Sequence, residues 1–132
     1  MRLHTIELGT DLFVPAALVY DTWLDTARHS RLAQAPALID PRVGGQISLW
    51  GGSVTGELVY LERPRVIAQT WRTEDFTPEM DDSRLELSFE DRVNGCHVRV
   101  VHGHIPAAMV SMFRSAWTQY YFPRMTTIGL VV

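Results

Sequence analysis

Apolar and polar positions alternate late in the chain and then change period. Over Arg84–Asp91, Leu85, Leu87 and Phe89 fall on one side, while Arg84, Glu86, Ser88 and Glu90 fall on the other. That is the two-residue period of a strand with one buried face. Asn94-Gly95 follows, a dipeptide suited to a tight hairpin because both residues adopt positive φ at little cost. Beyond it Cys96, Val98, Val100 and His102 share one face, with His97 and Arg99 opposite. From Pro106 to Leu130 the period lengthens. Met109, Met112, Phe113, Ala116, Trp117 and Tyr120 recur at three and four, the spacing of one helical face. Pro106 suits the first helical turn. Pro123 removes the bond to the Gln119 carbonyl, which predicts a kink near Gln119–Tyr120.

Earlier in the chain the same reading predicts a first strand over Leu3–Val14, closed by Pro15. A short helix follows, PAALVYDTWLD, with Ala16, Val19, Tyr20, Trp23 and Leu24 on one side. Asp25-Thr26 ends it and caps a second short helix, ARHSRLAQ. A short extended piece lies between Pro36 and Pro41, and Gly44-Gly45 marks a turn. Gln46–Trp50 and Ser53–Leu61 read as strands joined by a two-residue hairpin at Gly51-Gly52. Arg63-Pro64 turns the chain into a further strand, Val66–Thr73. Glu74–Asp82, with Pro78 and several acids, reads as a polar loop. The fold class is therefore α+β: an antiparallel meander with one apolar face, covered by a long C-terminal helix. A cavity between a curved sheet and that helix is a natural binding site.

Composition narrows the function classes. The 132 residues, 46% hydrophobic and 20% charged, suit one domain with a real core, residues 1–132. A net charge of −3 with scattered signs excludes a basic nucleic-acid surface. No apolar run approaches the roughly 20 residues of a membrane span, and MRLHTIELGTD does not read as a signal peptide. The single cysteine, Cys96, fits a reducing cytoplasm. No nucleotide-binding glycine loop, G-x-S-x-G or C-x-x-C occurs, so no cofactor is expected.

Several runs carry a resemblance: DPRVGGQISLWGGSVTGELVYLERPRVIAQTWR, DSRLELSFE, VHGHIPAAMV and SAWTQYYFPRM. Together they resemble the heat-shock ATPase activator homologue (Aha-type) family of the START-like (SRPBCC) superfamily, from about Val14 to about Met125. The resemblance implies a helix-grip fold, a curved antiparallel sheet of about seven strands around the C-terminal helix, with two short helices after strand 1. It also implies a hydrophobic cavity, which across the superfamily binds lipids, hormones, polyketides or other apolar molecules and in a minority serves catalysis. Two departures stand out. SRLAQ replaces a stretch that usually carries a tryptophan, and Ala116-Trp117 replaces the usual Gly-Trp. The eukaryotic activator adds an N-terminal domain for which these 132 residues leave no room.

The candidate ligand-binding residues are Trp71, Phe89, His102, Met109, Met112, Phe113, Trp117 and Tyr121. The aromatics offer broad flat surfaces to an apolar ligand or simply pack the core, and the methionines adapt to shape. His102 and His104 form an H-x-H whose alternate residues would share a side. A metal would need a third ligand that the sequence does not supply, so no metal is expected. His102 instead reads as a polar group at the pocket rim, and His104 as part of a solvated turn. The facing of Trp50, Tyr60, Gln69 and Arg72 stays open, with Arg72 read as outward. Three functions fit. One is a cytoplasmic binding protein for a hydrophobic or amphipathic small molecule. The second is a cyclase- or hydrolase-type enzyme using His102 as acid or base. The third is a co-chaperone-like module acting on a heat-shock ATPase. A homodimer through a sheet edge or the helix is compatible with all three.

Overall fold

The computed structural model describes residues 2–129. Seven strands form one antiparallel sheet in the order β1-β7-β6-β5-β4-β3-β2. They are β1 (Leu3–Leu12), β2 (Ala37–Ile39), β3 (Gln46–Leu49), β4 (Val54–Glu62), β5 (Val66–Thr73), β6 (Ser83–Arg92) and β7 (Gly95–Pro106). From β2 to β7 they run as a meander, each paired to the next. β1 does not join that run at its start. Helices α1 (Ala16–Leu24) and α2 (Thr26–Ala33) carry the chain from one edge of the sheet to the other, so β1 pairs with β7. Asp25 ends α1 and caps α2, its carboxylate accepting from the Arg28 N–H at 2.8 Å.

The alternation in β6 and β7 sets the core. Leu85, Leu87 and Phe89 are buried together with Cys96, Val98, Val100 and His102. The opposite face is polar, with exposed pairs such as Arg99–Glu7 and His97–Asp11 that contribute little each. The predicted two-residue turn at Gly51-Gly52 is instead a single 3₁₀ turn, Trp50–Gly52, with Trp50 also at positive φ. That conformation lays the Trp50 ring against Tyr120 and Tyr121, at 5.6 and 5.4 Å between centroids.

β7 runs four residues further than the alternation suggested, and a bulge accounts for it. Across β1, His4 faces Ile105 but Ile6 faces His102, so Gly103 and His104 oppose one residue, Thr5. His104 takes φ 56 and points to solvent. The extra residue turns His102 and Ile105 both inward, three apart instead of two. The H-x-H therefore does not share a side, and His104 lies in a strand rather than a turn.

The last helix is continuous from Ala107 to Met125 but changes pitch. A 3₁₀ turn (Ala107–Met109) leads into α3 (Val110–Ser115), a π turn (Ala116–Tyr121) and α4 (Phe122–Met125). A π turn spans the position of the expected kink, and Pro123 sits at the start of α4, where it needs no partner for its nitrogen. Buried residues recur at Met109, Phe113, Trp117, Tyr121 and Met125. On an α-helix a spacing of four drifts steadily around the axis. The wider π turn takes that drift back, so the same side faces the sheet throughout. Tyr121 is buried as a result, while Met112 is 45% exposed and is not an interior residue. Helix beyond Met125 gives way to turns over Thr126–Gly129, and Leu130 lies outside the described residues.

Candidate functional site

Between sheet and last helix the side chains form a continuous aromatic stack. Trp117 lies 5.8 Å from Trp23 of α1, 6.2 Å from Trp71 of β5 and 5.1 Å from Tyr121. His102 stacks on Phe113 at 4.9 Å, and Phe113 stacks in turn on Phe76 at 6.2 Å. Trp71, Phe113, Trp117 and Tyr121 are all 4% exposed or less. Each buried ring contributes roughly 1.5–3 kcal/mol through area alone. Phe76 reaches this stack from the acid-rich 74–82 loop, which also packs Met80 against the core. Arg72 holds that loop, donating to the Thr77 and Met80 carbonyls at 2.8 Å and to Asp82 at 3.1 Å while lying over the Phe76 ring. Tyr60 faces outward, and Gln69 faces inward.

Polar groups within the stack are satisfied in a definite direction. The Trp23 Nε1–H donates to Gln69 Oε1 at 2.9 Å. Trp23 O can only accept, so His29 carries its proton on Nδ1, 2.8 Å away. His29 Nε2 is then the acceptor for the Tyr121 hydroxyl at 2.9 Å. Burial holds this imidazole down at about 4 and pushes the Tyr121 phenol well up.

His102 is 1% exposed and lies in the core, not at a rim. Ser83 Oγ donates to Trp71 O at 2.6 Å, so it receives the His102 Nε2–H at 2.9 Å. The direction is opposite to that of a base drawing a proton from a serine nucleophile. The neutral imidazole, its pKa lowered by burial to about 3, keeps a bare lone pair on Nδ1. That atom is buried and has no hydrogen-bond partner.

Of the predicted ligand-binding residues, Trp71, His102, Phe113, Trp117 and Tyr121 come together, and Met109 is buried on the same helical side. Phe89 is buried elsewhere, edge-on to Tyr20 at 6.1 Å, and Met112 faces out. Sequence reasoning missed Trp23, His29, Phe76 and Ser83 as members. Phe76 had a signal, a lone aromatic in a polar loop. Trp23 had one as well, on the apolar side of α1. His29 and Ser83 had none. Among the described residues no group of His, Cys, Asp and Glu is arranged to hold a metal, and no helix is long and apolar enough to cross a membrane.

The family model described as "Activator of Hsp90 ATPase homolog 1-like protein" matches residues 14–128. An uncharacterised protein of Schizosaccharomyces pombe is 28% identical over 114 residues, 86% of this chain and 34% of that protein. The mouse "Activator of 90 kDa heat shock protein ATPase homolog 2" is 23% identical over 124 residues, 92% of this chain and 37% of that protein. The chain thus spans about a third of the length of these relatives. The crystal structure of an HSP90 activator from Plasmodium falciparum superposes with a TM-score of 0.87 at 26% identity, covering 94% of both chains. CalU16 of Micromonospora echinospora shares the fold, with a TM-score of 0.80 at 21% identity over 96% of this chain and 76% of that one.

Proposed function

Because the chain belongs to the family of Activator of Hsp90 ATPase homolog 1-like proteins, we propose that it is a binding module that engages a heat-shock ATPase of the HSP90 class. The observation that carries this reading is the likeness to an HSP90 activator along 94% of both chains. The buried aromatic stack between sheet and helix, with Trp71, Phe113, Trp117 and Tyr121 all 4% exposed or less, directs this reading to the outer surface. Of the large apolar side chains exposed among the described residues, Phe13 and Val93 are the most exposed. Phe13 is 90% exposed and Val93 99% exposed, on either side of the close approach between Gly95 and the Leu12–Phe13 backbone. Exposed apolar groups at one end of a sheet suit a partner surface. The test is to titrate the purified chain into HSP90 of the same organism, following ATP hydrolysis and binding heat. The expected result is a saturable, near-stoichiometric rise in rate that falls with Phe13→Ser/Val93→Ser. Neither binding nor a change in rate at excess chain would overturn the reading.

A second reading rests on the bare His102 Nδ1. A buried acceptor without a donor costs about 1–3 kcal/mol. An apolar molecule carrying one hydroxyl or N–H would relieve it, lying among Trp71, Met109, Phe113 and Trp117 once the helix moved off the sheet. Native mass spectrometry of the purified chain tests this. A co-purifying small molecule, lost in His102→Phe, supports it, and a clean apo mass with no stabilisation by apolar alcohols or amides removes it.

A further inference from the structure

A cleft of about 490 Å³ opens on the far side of the short helices, away from the aromatic stack. Its floor is apolar: Leu18 of α1, Leu32 of α2 and Ile128 of the turn after the last helix. Leu32 and Ile128 are 7% and 9% exposed, and Leu18 is partly buried against the core. Thr22 also lines it, but its hydroxyl proton is committed to the Leu18 carbonyl at 2.7 Å. Gly129 holds the third wall in place. It takes φ +91, and a Cβ there would meet Val14 at 3.2 Å and Leu18 at 3.6 Å, so this residue type lets the turn close onto α1.

Arg28 and Arg31 stand at the rim, one helical turn apart on α2 and both exposed. Neither guanidinium makes an ion pair with a carboxylate among the described residues. The nearby acids are occupied. Asp21, which feels the Arg28 charge, is held by Arg63 through two bonds at 2.9 and 2.8 Å. Asp25 accepts the Arg28 backbone N–H as the cap of α2.

We propose that this cleft binds a small amphipathic carboxylate, with the anion between Arg28 and Arg31 and the hydrocarbon on Leu18, Leu32 and Ile128. Two cations over an apolar floor complement such a molecule better than a neutral one of the same length. Guanidinium groups bind carboxylates through paired, charge-assisted hydrogen bonds, and apolar area removed from water adds about 25 cal/mol per Å². The volume lies within the roughly 300–1,000 Å³ of small-molecule sites.

Decanoate and decanol are the probes, the same chain with and without the charge, measured by titration calorimetry and by amide chemical shifts. Decanoate should bind saturably, shift the Leu32 and Ile128 amides, and bind at least about tenfold more tightly than decanol. Arg28→Gln/Arg31→Gln should lower decanoate affinity to the decanol level, with an unchanged thermal midpoint since both side chains are exposed. Equal binding of the two probes would overturn the proposal, as would an unweakened double variant. So would shifts confined to the aromatic stack, or no saturable binding of decanoate below about 1 mM. The two-probe comparison uses the unaltered chain and stands even if the variant misfolds.

Discussion

The two buried histidines should make the fold acid-labile in a defined pH window. His29 and His102 are both neutral in the folded chain, held at about 4 and about 3 by burial. Unfolded, each would titrate near 6.5. Above that value neither state takes up a proton, and the histidines give no pH dependence. Below it the unfolded chain binds protons that the folded chain refuses, so stability falls with pH until the folded values are reached. At pH 5 each histidine costs about 2 kcal/mol and the pair about 4 kcal/mol relative to pH 7.5. That is a large share of the roughly 5–15 kcal/mol of an ordinary domain. Carboxylates act lower down: the pairing with Arg63 holds Asp21 below its usual range, so its contribution is lost only in stronger acid. Urea unfolding at pH 7.5, 6 and 5 measures the effect. His102→Gln should remove about half of the pH slope whatever it does to absolute stability, and His29→Gln the other half. A midpoint that stays level from pH 7.5 to 5, or a slope untouched by either variant, would refute the argument that these rings are buried and uncharged.

Four further substitutions probe the core and the backbone around it. Tyr121→Phe strips the donor from His29 Nε2, which has no other partner, and should cost about 1–3 kcal/mol in urea unfolding; a neutral result would mean that the imidazole accepts from elsewhere. Trp117→Ala empties the centre of the stack, where the residue is 1% exposed, and should lose about 3–5 kcal/mol, read as a lowered unfolding midpoint; a loss below about 1 kcal/mol would show the stack to be loosely packed. Gly95→Ala places a Cβ 1.8 Å from the Leu12 carbonyl, so β1 and β7 must part at that end, whereas Gly51→Ala meets open space and pays only for its φ of +64. The first should cost about 2 kcal/mol or more and the second about 1 kcal/mol, an order that thermal melts would reverse if backbone conformation outweighed contact.

The elements were legible because their periods are clean. Alternation in β6 and β7 gives the buried faces correctly, and the resemblance implies the seven-stranded sheet with two short helices after β1. The pairing of β1 with β7 is not legible in a meander, since it follows from two helices crossing the sheet. Errors arose where the backbone departs from a fixed period. The bulge at Gly103–His104 separates two histidines that alternation places together. The π turn rotates the helix so that Tyr121 goes in and Tyr120 is only partly buried, while Met112, ahead of that turn in α3, faces out. Neither device has a residue type that announces it, because each is fixed by how strands and helix seat against one another.

The larger difference concerns what inward aromatics are for. In sequence Trp71, Phe113 and Trp117 suit a cavity wall or plain core packing, and in the fold they face the space between sheet and helix. A residue that lines a void and one that fills it have the same type and the same facing. The difference lies in volume summed over elements far apart in sequence: Trp23 from α1 and Phe76 from a loop pack against rings of the last helix. Polar partners obey the same logic. Gln69, His29 and Ser83 look arbitrary along the chain, yet each meets a donor or acceptor that the stack would otherwise bury unpaired. Among the described residues two buried side-chain atoms stay unmatched, His102 Nδ1 within the stack and Thr73 Oγ1 at the end of β5. The open valence on His102 Nδ1 is the observation behind the second proposed reading, and Arg28 and Arg31, which pair with no carboxylate among the described residues, are the observation behind the outer cleft.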